Sequence, residues 1–210
     1  MNGSLDGAVV DVRPDIVALF RREWSRLAAP GSSWTGAERV AIASQARAAR
    51  AGEEGLGGDL PPSAVAAARL LGAVPAQADS SLVETWVSDA GPERYVELLG
   101  VVARLAAVDS FHRGVGAEAP PLPDPDPGLP TGEVDPAARR GPAWVPMVGG
   151  ASIVHALSLV PAESRAQEDM HGPLYLTYEG MQDLVFVGGL TRAQMELVAA
   201  RTSALNECFY

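Results

Sequence analysis

The sequence predicts an all-α protein, and three observations predict it. Alanine crowds several stretches, 64–68 and 103–107 among them, while aromatic residues make up only 6% of the chain. Such a composition favours closely packed helices over sheets. Apolar residues also recur at three- and four-residue spacing over long windows, and residues that open helices stand in front of those windows.

The first helix is expected over 14–28. Pro14 presets the φ of an opening turn, and Ile16, Leu19, Phe20, Trp24 and Leu27 share one face. Pro30-Gly31 ends it. The second opens at Thr35-Gly-Ala-Glu38, a capping box in which hydroxyl and carboxylate satisfy orphan amides, and runs to about Arg50. A loop follows over 52–62. Its glycines would suit a phosphate cradle, but Glu53, Glu54 and Asp59 repel anions and no Gly-Lys-Ser/Thr follows.

Further helices are expected over 62–72, 80–89 and 92–113, the last long and amphipathic through Tyr95, Leu98, Leu99, Val102, Leu105 and Val108. Together they form an antiparallel bundle. Between 118 and 146 nine prolines replace helical periodicity, which predicts an extended segment draped over the bundle or a linker. The chain thus divides into an N-terminal helical half (1–117), a Pro-rich extended connector (118–147) and a C-terminal helical half (148–210). Helical patterns resume over 150–159, 162–171 and 174–187, and again from Thr191.

The two halves hint at an internal duplication. Trp34-Thr-Gly-Ala-Glu-Arg-Val-Ala-Ile-Ala43 resembles Leu190-Thr-Arg-Ala-Gln-Met-Glu-Leu-Val-Ala199, each with threonine followed three residues later by Glu or Gln. Part of that likeness is generic helix capping. If the repeat is real, its first copy is degenerate, with no cysteine near Arg50.

Charge narrows the function classes. The net charge is −10 and the isoelectric point near 4.7, so nucleic acid and anionic membranes are repelled unless a local basic patch intervenes, and the linear sequence shows none. Every basic side chain other than histidine is arginine, which reads as codon bias of a GC-rich genome, with arginine clusters selected for binding as the alternative. The first fifteen residues lack a basic, apolar secretory pattern, and no stretch approaches the roughly 20 apolar residues of a membrane span. Even the most apolar helix contains Glu97 and Arg104. A soluble cytoplasmic protein is the expectation. The single cysteine, Cys208, cannot form an internal disulfide and is either a small packed residue or a working thiol.

The terminal stretch carries the most chemistry. In the helix from Arg192 to about Leu205, Met195, Val198, Ala199, Thr202 and Leu205 share an arc while Leu197 points the other way, which predicts a largely buried helix. Glu196 then lies on the flank, where desolvation would ready it for proton transfer; an exposed glutamate in the first turns is the alternative. Twelve residues separate Glu196 from Cys208, about 18 Å along a straight helix, so the two cooperate only if the helix breaks. Asn206 offers the break, with Glu207-Cys208 opening a new helix whose N-terminus would favour a thiolate.

The run Glu196-Leu-Val-Ala-Ala-Arg-Thr-Ser-Ala-Leu-Asn-Glu-Cys208-Phe-Tyr resembles the AhpD-like alkylhydroperoxidase and carboxymuconolactone decarboxylase superfamily, whose peroxidases carry E-(x)11-C-x-x-C-x-x-x-H. The Ala-Glu-Arg-Val-Ala-Ile-Ala run and the helix through Tyr95–Asp109 are also similar to two-part members of that family. The resemblance implies an all-helical AhpD-like bundle and a homo-oligomer (trimer or hexamer); no cofactor and no metal are expected. It further implies reduction of a small peroxide with a dithiol reductant, with Glu196 as relay carboxylate and Cys208 as the first cysteine. The second cysteine, which attacks peroxide in the family, and the histidine would fall after Tyr210. A lone cysteine cannot close the cycle internally, because the sulfenic acid needs a second thiol, and a helix of two or three residues could not nucleate to favour its thiolate. A carboxymuconolactone decarboxylase-like lyase acting on a small acidic lactone, and a non-catalytic oligomerising member, are the alternatives; arginines around Glu196 would favour the lyase.

Other groups carry weaker signals. His112 three residues after Asp109 matches a helical metal pair, but histidine near a helix C-terminus is ordinary. His155 lies on an apolar segment and reads as a core residue, and Glu168, Asp169 and His171 cannot all share one helical face, since sequence-adjacent groups point apart. No Gly-x-Ser-x-Gly nucleophile pattern occurs. Trp24, Trp34, Trp86 and Trp144 read as packing anchors.

Overall fold

The structure, a computed structural model, describes the chain except residues 1–4, 6, 151, 186, 209 and 210, and of Tyr178 and Val187 only the backbone. It is all-helical. The first five helices are α1 (Pro14–Ala28), α2 (Gly36–Ala51), α3 (Pro62–Ala73), α4 (Ser80–Ala90) and α5 (Pro92–Gly114). Three more follow the connector: α6 (Pro161–Leu174), α7 (Tyr178–Gln182) and α8 (Arg192–Leu205).

The helix starts follow the local chemistry of the sequence. Pro14, Pro62 and Pro92 occupy the first turns of α1, α3 and α5, where the missing N–H costs nothing. Asp79 caps α4 through the Leu82 amide at 2.9 Å. The capping box of α2 is complete, Thr35 accepting from the Glu38 amide and the Glu38 carboxylate accepting from the Thr35 amide at 2.7 Å. Gly52, with φ of 74°, closes α2 in the left-handed conformation.

The core sits between α1, α2, α3 and α5. Leu19, Trp34, Ile42, Val83, Val96 and Val108 are wholly buried in it. Alanines 43, 46, 64, 67 and 68 let α2 and α3 approach closely. Gly72 is part of that approach: a Cβ there would stand 2.4 Å from the Ala46 carbonyl oxygen. Phe20 meets Phe111 edge-on at 5.1 Å, and Trp86 stacks on Tyr95 at 5.9 Å. Burial pushes the Tyr95 hydroxyl up to about 12.

The Pro-rich stretch is tied to the bundle along its length. Trp24 donates to the Pro121 carbonyl and Arg47 to that of Pro120. The amides of Asp126, Thr131 and Gly132 donate to the carbonyls of Ala28, Gly31 and Ser32. Beyond it, α6 packs on α1 and α5, burying Glu163, Ala166 and Met170. One core therefore spans both sides of the connector.

Four expectations are corrected. The pattern over 150–159 yields, among the described residues, only a 3-10 turn, Ile153–His155, with Ile153 and Val154 exposed, residue 151 lying outside the described residues; an apolar run this short does not distinguish a helix from a packed loop. The 174–187 pattern shrinks to the five residues of α7, followed by a two-residue antiparallel pairing, Val187–Gly188 with Leu190–Thr191; residue 186 lies outside the described residues. Trp144 is 42% exposed and lies outside the buried core. The last is α8, which buries none of its residues, because no other helix covers its apolar arc among the described residues.

Candidate functional site

The terminal site is built on α8. Thr191 opens it with a second capping box, its hydroxyl accepting from the Gln194 amide while Gln194 Oε1 accepts from the Thr191 amide at 2.9 Å. The helix ends where the sequence suggested, near Asn206, but Glu207 and not Asn206 takes the left-handed turn, with φ of 54°. The Cys208 amide donates to Ser203 at 3.0 Å and the Glu207 amide to Ala204 at 3.4 Å. This is a Schellman ending. Cys208 therefore follows directly on a helix C-terminus, its amide tied back into the ending of α8; the expected new helix would fall on positions 209 and 210, which lie outside the described residues.

Glu196 and Cys208 are not brought together. Nine helical positions separate Glu196 from Leu205, the last residue of α8, about 14 Å of rise. The Glu196 side chain is 52% exposed, so the expected desolvation is absent. Its Oε1 accepts from Arg192 Nε at 2.7 Å, and the Tyr175 hydroxyl stands 3.4 Å away. Arg192 also donates to the Gly180 carbonyl at 3.1 Å. Cys208 is an exposed free thiol.

The more elaborate polar arrangement is one the sequence reasoning missed. Glu23 of α1, Arg39 of α2, Glu97 and Arg104 of α5 and Glu163 of α6 are all buried in one ionic cluster. Arg39 pairs with Glu97 and, at 3.0 Å, with Glu163. Arg104 pairs with Glu163 and lies 3.0 Å from Glu23. Arg26 joins Glu23 to Asp169 at the margin. Gly100 makes room for this, since a Cβ there would stand 2.2 Å from Glu163 Oε2. The one available signal was Glu97 and Arg104 inside the most apolar helix, seven residues apart and so on nearly the same face.

Three buried carboxylates share two buried guanidiniums, and the protons respond. Burial pushes Glu97 up, helped by the Glu163 carboxylate and opposed by Arg39 and the Ser33 amide, which donates to it at 2.6 Å. Burial pushes Glu23 up too, against Arg104 and Arg26. For Glu163 burial works the same way, but Arg104 and Arg39 outweigh it and hold the carboxyl below its ordinary value. The cavity beside the cluster, lined by Glu23, Trp24, Arg39 and Arg104 among others, measures only about 10 Å³. That is room for about one water. The cluster is therefore a structural clamp holding α6 on the bundle, with no space for a substrate.

The histidines are similarly occupied. His112 Nδ1 lies 2.8 Å from the Val108 carbonyl and His155 Nδ1 2.9 Å from that of Gly150, while Asp109 is taken by Arg47. Among the described residues no group of three or more metal-ligating side chains forms, and no helix is long and apolar enough to cross a membrane. No family model, curated protein or solved structure matches this chain.

Proposed function

We propose thiol-dependent reduction of a small peroxide, with Cys208 as the reacting residue and a soluble dithiol as reductant. The carrying observation is the exposed thiol of Cys208, three residues beyond the last residue of α8 in a run that resembles the alkylhydroperoxidase motif. The thiolate attacks the peroxide O–O bond, giving Cys–SOH and releasing an alcohol. One thiol of the dithiol condenses with the sulfenic acid, expelling water, and its second thiol displaces Cys208 as a thiolate while the reductant leaves as a disulfide. An external dithiol thus supplies the second thiol. Glu196, at the far end of α8 and bonded to Arg192, takes no direct part within one chain.

Turnover of cumene hydroperoxide with dithiothreitol, together with trapping of the sulfenic acid by dimedone, tests this reading. Turnover and a dimedone adduct on Cys208, both lost in Cys208→Ser, are expected. Background turnover in both proteins with no adduct would refute it.

A second reading is favoured by the exposed apolar surface of α8, where Leu197 is 71%, Val198 59% and Leu205 66% exposed. In that reading α8 is a non-catalytic arm that docks on another copy of the chain. A light-scattering mass that falls to that of a monomer in Leu197→Glu supports it; a parent that is already monomeric removes it.

A further inference from the structure

The linear sequence shows no basic patch, but the fold makes one. Arg47 and Arg50 lie three apart on α2, and Arg113 stands in the last turn of α5. The packing of α2 on α5 gathers all three around a cleft of about 450 Å³, whose remaining wall is Asp109 and the small residues Ala51, Gly116, Ala117 and Ala119. That volume lies in the range of small-molecule sites, roughly 300–1,000 Å³.

The three arginines are not equivalent. Arg47 is fully committed: Nε and Nη2 donate to Asp109 at 3.0 and 2.7 Å, Nη1 donates to the Pro120 carbonyl, and the guanidinium lies over Trp24. This pair consumes the only carboxylate in the lining. Arg50 donates Nε to the Gly72 carbonyl at 3.1 Å, but its Nη1 is 3.6 Å from Asp109, beyond hydrogen-bond reach. Arg113 is exposed, and its side chain makes no hydrogen bond or ion pair among the described residues. Burial and then the charges of Arg113 and Arg47 push the Arg50 guanidinium down, against the help of Asp109.

A structural staple between α2 and α5 accounts for Arg47 and Asp109, and the Gly72 carbonyl for Arg50 Nε; it leaves the Nη groups of Arg50 and the whole guanidinium of Arg113 without a hydrogen-bond partner among the described residues. Cations at helix C-termini are ordinary, and the ends of α2 and α5 carry roughly half a negative charge each. Three guanidiniums against one carboxylate still leave the cleft about +1 after that correction, on a chain whose net charge is −10. Convergence of two such ends on one concavity is what helix dipoles do not explain.

We propose that this cleft binds a small oxyanion, a carboxylate or phosphate group, held by the Nη groups of Arg50 and the guanidinium of Arg113 over the Arg47–Asp109 pair. Planar guanidiniums match both anions by paired N–H donors. The site is independent of Cys208, so Cys208→Ser binds as the parent does, whatever becomes of the peroxide reading.

Calorimetric titration with inorganic phosphate, and separately with succinate and citrate, at constant ionic strength set with chloride, tests the proposal. One-to-one binding of at least one probe is expected, weakening at least tenfold in Arg113→Ala, partly restored in Arg113→Lys, and unchanged in Arg22→Ala on the exposed face of α1. Binding of phosphate alone assigns a phosphoryl group, and of succinate or citrate alone a carboxylate. No probe binding beyond chloride, or equal affinity in Arg113→Ala, overturns the site. Because Arg113 is exposed and its side chain makes no hydrogen bond or ion pair among the described residues, its removal is expected to leave the fold intact, and either result is decisive.

Discussion

Helices α2 and α8 begin with the same device and end in opposite situations. Each opens at a threonine whose hydroxyl accepts the third helical amide, with Glu38 or Gln194 reciprocating. Over their first turns the sequences run in parallel, Ala41, Ile42 and Ala43 matching Leu197, Val198 and Ala199. Yet α2 buries Arg39 and Ala41–Ala46, whereas α8 buries nothing. The chemistry that makes a helix is local, and the chemistry that buries it belongs to what lies alongside. For α2 that is α3 and α5; for α8 it is chiefly the short pairing at Leu190–Thr191.

The sharpest way to break this contrast is to exchange a matched pair of residues. Arg39 and Met195 each stand four positions after the capping threonine. Arg39→Met strands Glu97 and Glu163 in the core without their shared guanidinium, and a loss of about 3–5 kcal/mol in urea unfolding is expected, as for buried pairs cut on one side. Met195→Ala is expected to change the same transition by less than about 0.5 kcal/mol. A comparable loss in both would mean that α8 is packed in solution.

The apolar positions give the next largest effect. Ile42 is wholly buried and Val198 is 59% exposed, so Ile42→Ala is expected to cost about 2–5 kcal/mol through lost contacts and an unfilled cavity. Val198→Ala is expected to cost almost nothing. If Val198→Ala destabilises only at high protein concentration, a second copy covers α8.

The clamp that α2 shares with α6 also carries a pH signature. Glu97 and Glu23 have raised carboxyl values, so their stabilising contribution is complete below the unfolded value near 4.5 and is lost as pH rises through the folded value. Glu163 runs the other way, contributing above the unfolded value and losing that contribution as pH falls. Glu97→Gln replaces one descending contribution by a neutral amide. The melting temperature of that variant is expected to fall less than the parent's between pH 4.5 and neutrality, and parallel curves would show that Glu97 is already ionised.

What the sequence made legible follows the same line between local and distant. Pro14, Pro62 and Pro92, the Thr35 and Thr191 boxes and the ending near Asn206 act within a few residues, so the corresponding helices and their bounds could be read directly. The clamp could not, because Arg39 meets partners 58 and 124 positions away, and the arginine cleft joins α2 to Arg113 more than sixty positions later. At α8 the apolar arc of Met195, Val198 and Leu205 was visible, but periodicity reports a face fit for burial and not whether anything covers it. Glu196 was placed on the right helix for the same local reason, and its separation from Cys208 turned on how α8 runs to its Schellman turn.

The smallest effect separates helix formation from burial most cleanly. Thr35→Ala and Thr191→Ala each remove one hydroxyl from an equivalent box, and each should weaken its own helix by about 1 kcal/mol. In α2 that loss is transmitted to the whole core, because α2 cannot fray without exposing Ile42 and unpairing Arg39, and the global transition should shift by the full amount. In α8 no core depends on the helix, so Thr191→Ala should leave the global transition in place while amide exchange over 192–197 speeds up by about fivefold, the same 1 kcal/mol read locally. A global shift in Thr191→Ala equal to that of Thr35→Ala would tie α8 to the cooperative core and remove the distinction between the two helices.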